Sequence, residues 1–126
     1  MNDTNGPLVL VVDDDSRSRE LMRIILRHAG FRIVAAADAQ AAVALLQTER
    51  PAAMLADLLM PGMSGLELCR WVRARPEFGD MRFVLLTGMD TEEIHGEASD
   101  AGVDAVVTKP FDRVELLARL SALIAV

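Results

Sequence analysis

Four short apolar runs, each ending in polar residues, constrain this chain more than any other feature. Leu8-Val9-Leu10-Val11-Val12 ends in Asp13-Asp14-Asp15, and Ala52-Ala53-Met54-Leu55-Ala56 ends in Asp57. Phe83-Val84-Leu85-Leu86 ends in Thr87, and Ala105-Val106-Val107 ends in Thr108-Lys109-Pro110. Runs of this length that alternate with helical patterns are buried parallel strands, covered by helices on both faces. Residues at the carboxyl ends of such strands converge on one crevice. An acid cluster, a lone acid, a hydroxyl and an amine are therefore expected in one pocket of an α/β domain.

The segments between the runs carry helix signals. Ser16 to Ala29, with apolar Leu21, Ile24 and Ile25, is a first helix, and the Gly30 that follows suits a left-handed cap. Phe31 to Ala35 is a short second strand, and Asp38 opens a second helix through Gln47 with Ala42, Leu45 and Leu46 on its packed face. Pro61-Gly62 bends the chain, and Ser64 with Glu67 forms a capping box for a third helix to about Ala74. Pro76 to Met81 connects to the fourth strand. Asp90 with Glu93, and Asp112 with Glu115, repeat the cap pattern for two further helices. The pattern is (βα)5.

A chain of 126 residues, 52% hydrophobic, is enough for one buried core and too short for two ordinary domains. We divide it into an N-terminal extension, residues 1–7, and one domain, residues 8–126. A net charge of −6 supplies no basic patch for phosphate neutralisation, so no nucleic-acid binding is expected. No apolar stretch reaches the length of a membrane span, and Met1 to Pro7 lack the regions of a signal peptide, so a cytoplasmic location is expected. Cys69, the only cysteine, lies in an apolar helical pattern that suits a buried thiol. His28 suits the last turn of its helix, and neither it nor His95 has a metal partner at useful spacing. Trp71 is expected to be a partly exposed packing residue, and Met60 and Met63 to rim the pocket.

Three adjacent aspartates facing a fourth carboxylate repel one another in a partly dry crevice unless a cation sits among them. One of the three, Asp15, suits the cap of the first helix, but a cap needs one oxygen and not three carboxylates. A hard divalent ion with oxygen ligands, magnesium or manganese, fits the remainder. Taken singly, Lys109 would be a snorkelling surface lysine and Thr87 a cap.

The whole set, in this order and with Asp57-Leu58-Leu59-Met60-Pro61-Gly62-Met63-Ser64-Gly65, resembles the receiver domain of two-component response regulators, such as the chemotaxis regulator. The resemblance runs from about Leu8 to the C-terminus. It implies a flavodoxin-like three-layer sandwich with parallel strands in the order 2-1-3-4-5. It further implies Asp57 as the nucleophile that takes a phosphoryl group, Thr87 and Lys109 as groups holding the phosphoryl oxygens, and a cis Lys109-Pro110 peptide that aims the amine inward. Asp13, Asp14, Asp57 and the backbone carbonyl of Leu59 are the implied metal ligands, with Asp13 direct or through water. The implied partners are a sensor histidine kinase or phosphotransfer protein, met through exposed residues of helix one such as Arg17, Arg19 and Met22. The output would be a downstream protein or another receiver, met through the face of helix four, strand five and helix five. Such a module is not an enzyme beyond catalysing its own phosphorylation and dephosphorylation.

Two features depart from the family pattern. Val106 stands where many receivers carry an aromatic side chain that changes rotamer, and the chain contains no tyrosine. Leu59 and Met89 occupy positions that in the family tune loss of the phosphoryl group, and neither can guide a water by hydrogen bonding. Other classes fit less well. A dehalogenase-type phosphatase needs an acid where Leu59 stands, and a flavodoxin-like nucleotide or flavin binder needs a phosphate-cradling loop where the three aspartates stand. A receiver-like module that works without phosphate would not need the full acid, threonine and lysine set. A receiver excised from a larger regulator or hybrid kinase would look the same.

Overall fold

The computed structural model describes residues 6–124, so most of the N-terminal extension and residues 125–126 lie outside it. Five strands, β1 (Leu8–Val12), β2 (Arg32–Ala36), β3 (Ala53–Asp57), β4 (Arg82–Thr87) and β5 (Ala105–Thr108), form one sheet. Five helices alternate with them: α1 (Ser16–His28), α2 (Ala39–Leu45), α3 (Gly65–Arg73), α4 (Glu92–Ala101) and α5 (Arg113–Ile124), with a 3₁₀ turn at Pro76–Phe78. All strand pairs are parallel, in the order β2-β1-β3-β4-β5, as the resemblance implies.

Alternation along the strands explains the three layers. Leu10, Val12, Met54, Ala56, Phe83 and Leu85 point into one core, with Leu46, Leu68 and Ala98 from the helices on that side. Their neighbours Val9, Val11, Leu55, Val84 and Leu86 point into a second core, with Met22, Leu26, Leu116 and Leu120. Strands buried on both faces need apolar residues at every position, which is why the runs read as continuous.

The helices follow the sequence with corrections. Asp15 caps α1 by accepting from Arg17 N at 3.0 Å, and Gly30 beyond its end is left-handed (φ +94°). The buried stripe of α1 is Met22, Ile25 and Leu26, while Leu21 and Ile24 are 54% and 49% exposed. Both sets satisfy the same helical spacing, and the sheet selects the one displaced by a residue. Helix α2 ends at Leu45 rather than Gln47, because Gln47 N and Thr48 N bond three residues back and tighten the last turn. Leu45 is only half-buried there. The capping box at Ser64 and Glu67 forms in both directions. Helix α4 is capped by Thr91, whose hydroxyl accepts from Ile94 N at 3.1 Å, and not by Asp90, which pairs with His95 at 2.7 Å. Asp112 accepts from Val114 N at 2.9 Å at the start of α5. Trp71 is half-buried, stacked on Phe78 at 6.1 Å, with the Arg75 guanidinium over its ring at 3.6 Å.

Candidate functional site

Among the described residues, three polar side chains are buried: Asp13 (3% exposed), Asp57 (8%) and Thr87 (3%). They stand at the carboxyl ends of β1, β3 and β4, the three central strands, and the interior of the sheet keeps water from them. Burying polar groups costs free energy unless they are partnered. Here Lys109, just past the end of β5, pairs with both acids, Asp15 N donates to Asp13 Oδ1 and Met89 N donates to Thr87 Oγ1.

Lys109, the only lysine in the sequence, places Nζ 2.5 Å from Asp57 Oδ1 and 3.8 Å from Asp13 Oδ2. Its main-chain N–H donates to Thr87 O at 2.7 Å, which ties the β5 end to the β4 end, and the Lys109-Pro110 peptide is cis. Thr87 caps no helix, but it makes a local turn bond in which its Oγ1 accepts from Met89 N at 2.9 Å. That bond leaves the hydroxyl proton free to donate elsewhere.

Burial pushes the Asp57 carboxyl above the ordinary carboxylate range; Lys109 opposes this, and the Asp13 carboxylate adds to it. One amine does not compensate two buried acids. Ligand oxygens from Asp13, Asp14 and Asp57 lie within 4.8 Å of one another, and the exposed Asp14 opens the cluster to solvent. A carboxylate-only set suits a hard cation such as magnesium, so these residues fit the ion that the sequence implies. Asp57, Leu59, Thr87, Met89 and Lys109 line a pocket of about 200 Å³. Leu59 and Met89 form its exposed apolar rim, at 70% and 41% exposure. Met60 and Met63 do not line it. They pack against the core on the α2 and α3 side, drawn there by apolar contact.

Two supporting residues escape sequence reasoning. Gly65, the first residue of α3, lies so close to Asp57 that an added Cβ would sit 2.4 Å from the Asp57 carbonyl oxygen. Arg19, expected to be exposed, is half-buried, and its Nη1 donates to the Asp13 carbonyl at 2.7 Å. Of the other residues expected at the partner-facing surface of α1, Arg17 is exposed, whereas Met22 is buried at 3%. A second cavity, of about 280 Å³, runs beside the site between α1 and the start of α5, with Asp13, Leu21, Lys109 and Phe111 in its lining. Cys69 is buried, and burial pushes its thiol up to about 11, so it is inert. No helix among the described residues is long and apolar enough to cross a membrane.

Known proteins share this arrangement. Residues 9–121 match the response regulator receiver domain model. Response regulator MprA of Mycolicibacterium vanbaalenii is 39% identical over 116 residues, which are 92% of this chain and 49% of that protein. The chain thus spans about half the length of the curated relatives it matches. Chemotaxis protein CheY4 of Vibrio cholerae superposes with a TM-score of 0.89 at 30% identity, over 94% of this chain and 98% of that one. The receiver domain of sensor histidine kinase PA1611 from Pseudomonas aeruginosa, with magnesium coordinated in its active site cleft, gives 0.86 at 27% identity, over 96% and 99%. By fold, by sequence and by the composition of its crevice, the chain belongs to the response regulator receiver domain family of two-component systems.

Proposed function

We propose that the domain formed by residues 8–126 accepts a phosphoryl group on Asp57 from a sensor histidine kinase or phosphotransfer protein and signals through its own change of shape. The observation that carries this reading is the Lys109 ammonium 2.5 Å from a buried Asp57, beside two further acids. A carboxylate is a weak nucleophile, and a phosphoryl group brings negative charge toward a pocket that already holds three carboxylates. Asp13, Asp14, Asp57 and the Leu59 carbonyl would hold magnesium, or manganese, which supplies the charge neutralisation this transfer needs. Lys109 holds one phosphoryl oxygen, and the Thr87 hydroxyl donates to another. In the transfer an Asp57 oxygen bonds to phosphorus as the bond from phosphorus to the donor nitrogen breaks. The chain acts on itself and on no separate substrate.

Leu21, which lines the cavity beside Asp13, and Ile24, both exposed on α1, replace Met22 as the apolar residues offered to the donor. The output surface is the face of α4, β5 and α5, which would meet a downstream protein or another receiver. Donor and acceptor would meet in the cytoplasm. The test is intact-mass analysis after incubation with acetyl phosphate, with magnesium or with chelator. A gain of one phosphoryl group with magnesium, absent with chelator and absent in Asp57→Asn, is expected. An Asp57→Asn protein that gains phosphate at the native rate refutes the assignment.

A further inference from the structure

Arg19 lies early in α1, where the helix dipole disfavours a cation, so the stability of the helix does not explain it. Its Nη1 instead reaches back to the carbonyl of Asp13 at 2.7 Å. That carbonyl belongs to the peptide joining Asp13 to Asp14. The other groups of Asp13 are also held: its N–H donates to Ala36 O at 3.1 Å, and its Oδ1 accepts from Asp15 N at 2.9 Å. Asp14 is exposed, and the main chain aims it. Fixing the plane of the Asp13-Asp14 peptide on one side, with Asp15 N held by Asp13 Oδ1 on the other, narrows the directions in which the Asp14 side chain can leave the main chain.

We infer that Arg19 is a positioning residue for the acid loop, clamping the Asp13-Asp14 peptide so that Asp14 is presented to the divalent cation. This rests on the cation site proposed above. The clamp and the bare charge of Arg19 act in opposite directions. Removing a positive charge near three carboxylates would by itself tighten cation binding, whereas releasing the peptide weakens it by spreading Asp14 over several orientations.

The test is a magnesium titration of the full chain followed by backbone amide shifts of residues 13 to 15 and by calorimetry. Arg19→Met and Arg19→Gln are expected to bind magnesium about ten-fold more weakly than the native protein, the low end of the effect of partners that orient metal ligands. Arg23→Met removes a cation that pairs with Glu20 one turn further along α1, and is expected to leave the affinity within about two-fold. Unchanged or tighter binding in both Arg19 variants overturns the inference, as does an equal loss in Arg23→Met. A native protein that neither binds magnesium nor accepts a phosphoryl group sinks the proposed function itself. A native protein that does both, beside Arg19 variants that match it, sinks only the role of Arg19.

Discussion

Gly65→Ala tests whether the start of α3 supports the geometry of Asp57. The added Cβ would meet the Asp57 carbonyl oxygen at 2.4 Å and Leu85 Cδ1 at 2.8 Å. The leucine methyl can rotate aside. The carbonyl cannot, because Asp57 lies in register with Leu86 of β4, and Leu58 N donates to Leu86 O at 2.8 Å. Nor can α3 withdraw freely, since Gly65 N donates to Leu58 O at 2.9 Å and Ser64 anchors the capping box. Restoring an ordinary contact requires a displacement of about 1 Å shared between β3 and α3, and overpacking of this kind costs about 1–3 kcal/mol. Alanine's better helix propensity returns at most about 1 kcal/mol. The net loss, centred on about 1.5 kcal/mol within the roughly 0–3 kcal/mol that these two effects span, corresponds to a fall in melting temperature of roughly 5–9 °C for a domain of this size. Asp57 moves with its carbonyl, and a misplacement approaching 1 Å at a reacting group costs up to about 100-fold in rate. Thermal melting by circular dichroism, with the rate of phosphoryl gain from acetyl phosphate, reads both effects. An alanine variant that melts within about 1 °C of the native protein and reacts at its rate would refute the reasoning.

Two further outcomes follow from the site. Because burial raises the Asp57 carboxyl above its ordinary value, the folded state holds that proton to higher pH than the unfolded chain, so this contribution to stability is full below about pH 4 and is lost as pH rises through the raised value. Asp57→Asn should therefore melt higher than the native protein at pH 7 in chelator, with the gap closing as pH falls through the raised value towards about 4; a variant that melts lower at pH 7 contradicts the assignment. Met89→Glu places a hydrogen-bonding group on the apolar rim beside Thr87 and should speed loss of the phosphoryl group several-fold, read as the decay of the phosphorylated mass, and an unchanged decay would remove Met89 from the account of its lifetime.

The strands and the convergence of Asp13, Asp57, Thr87 and Lys109 were legible in the sequence because they depend on local pattern. A strand buried on both faces must be apolar throughout, and its first polar residue marks its end. The phase of α1 was not legible. Leu21, Ile24 and Ile25 satisfy helical spacing as well as Met22, Ile25 and Leu26 do, and only packing on the sheet decides between them. The cap of α4 failed for a similar reason: Asp90 and Thr91 are adjacent cap formers, and His95, five residues on, takes the Asp90 carboxylate. Gly65 and Arg19 depend on distances to carbonyls of other segments, which no periodicity records. One local signal did point to Arg19, namely the absence of any acid in the first turn of α1 beside two arginines.

The same distances bear on how a phosphoryl group on Asp57 could reach the proposed output face. Moving a two-state equilibrium from 1:99 to 99:1 takes roughly 5.5 kcal/mol of differential interaction. A single hydrogen bond from Thr87 is worth only about 0.5–1.5 kcal/mol net. For the proposed switch, Lys109, Thr87 and the metal would therefore have to respond together, and the bond from Lys109 N to Thr87 O ties the ends of β4 and β5. Val106, half-buried on β5 and in register with Leu85, is too small for the rotamer swing that an aromatic residue makes there. The direct covalent and hydrogen-bonded route from Thr87 runs instead through the loop that follows it. Met89 N is bonded to Thr87 Oγ1, Asp90 is paired with His95 in α4, and Thr91 caps that helix. Under the proposed function, a Thr87 hydroxyl drawn toward a phosphoryl oxygen would change the first of these bonds, and the other two would carry the displacement into the first turn of α4.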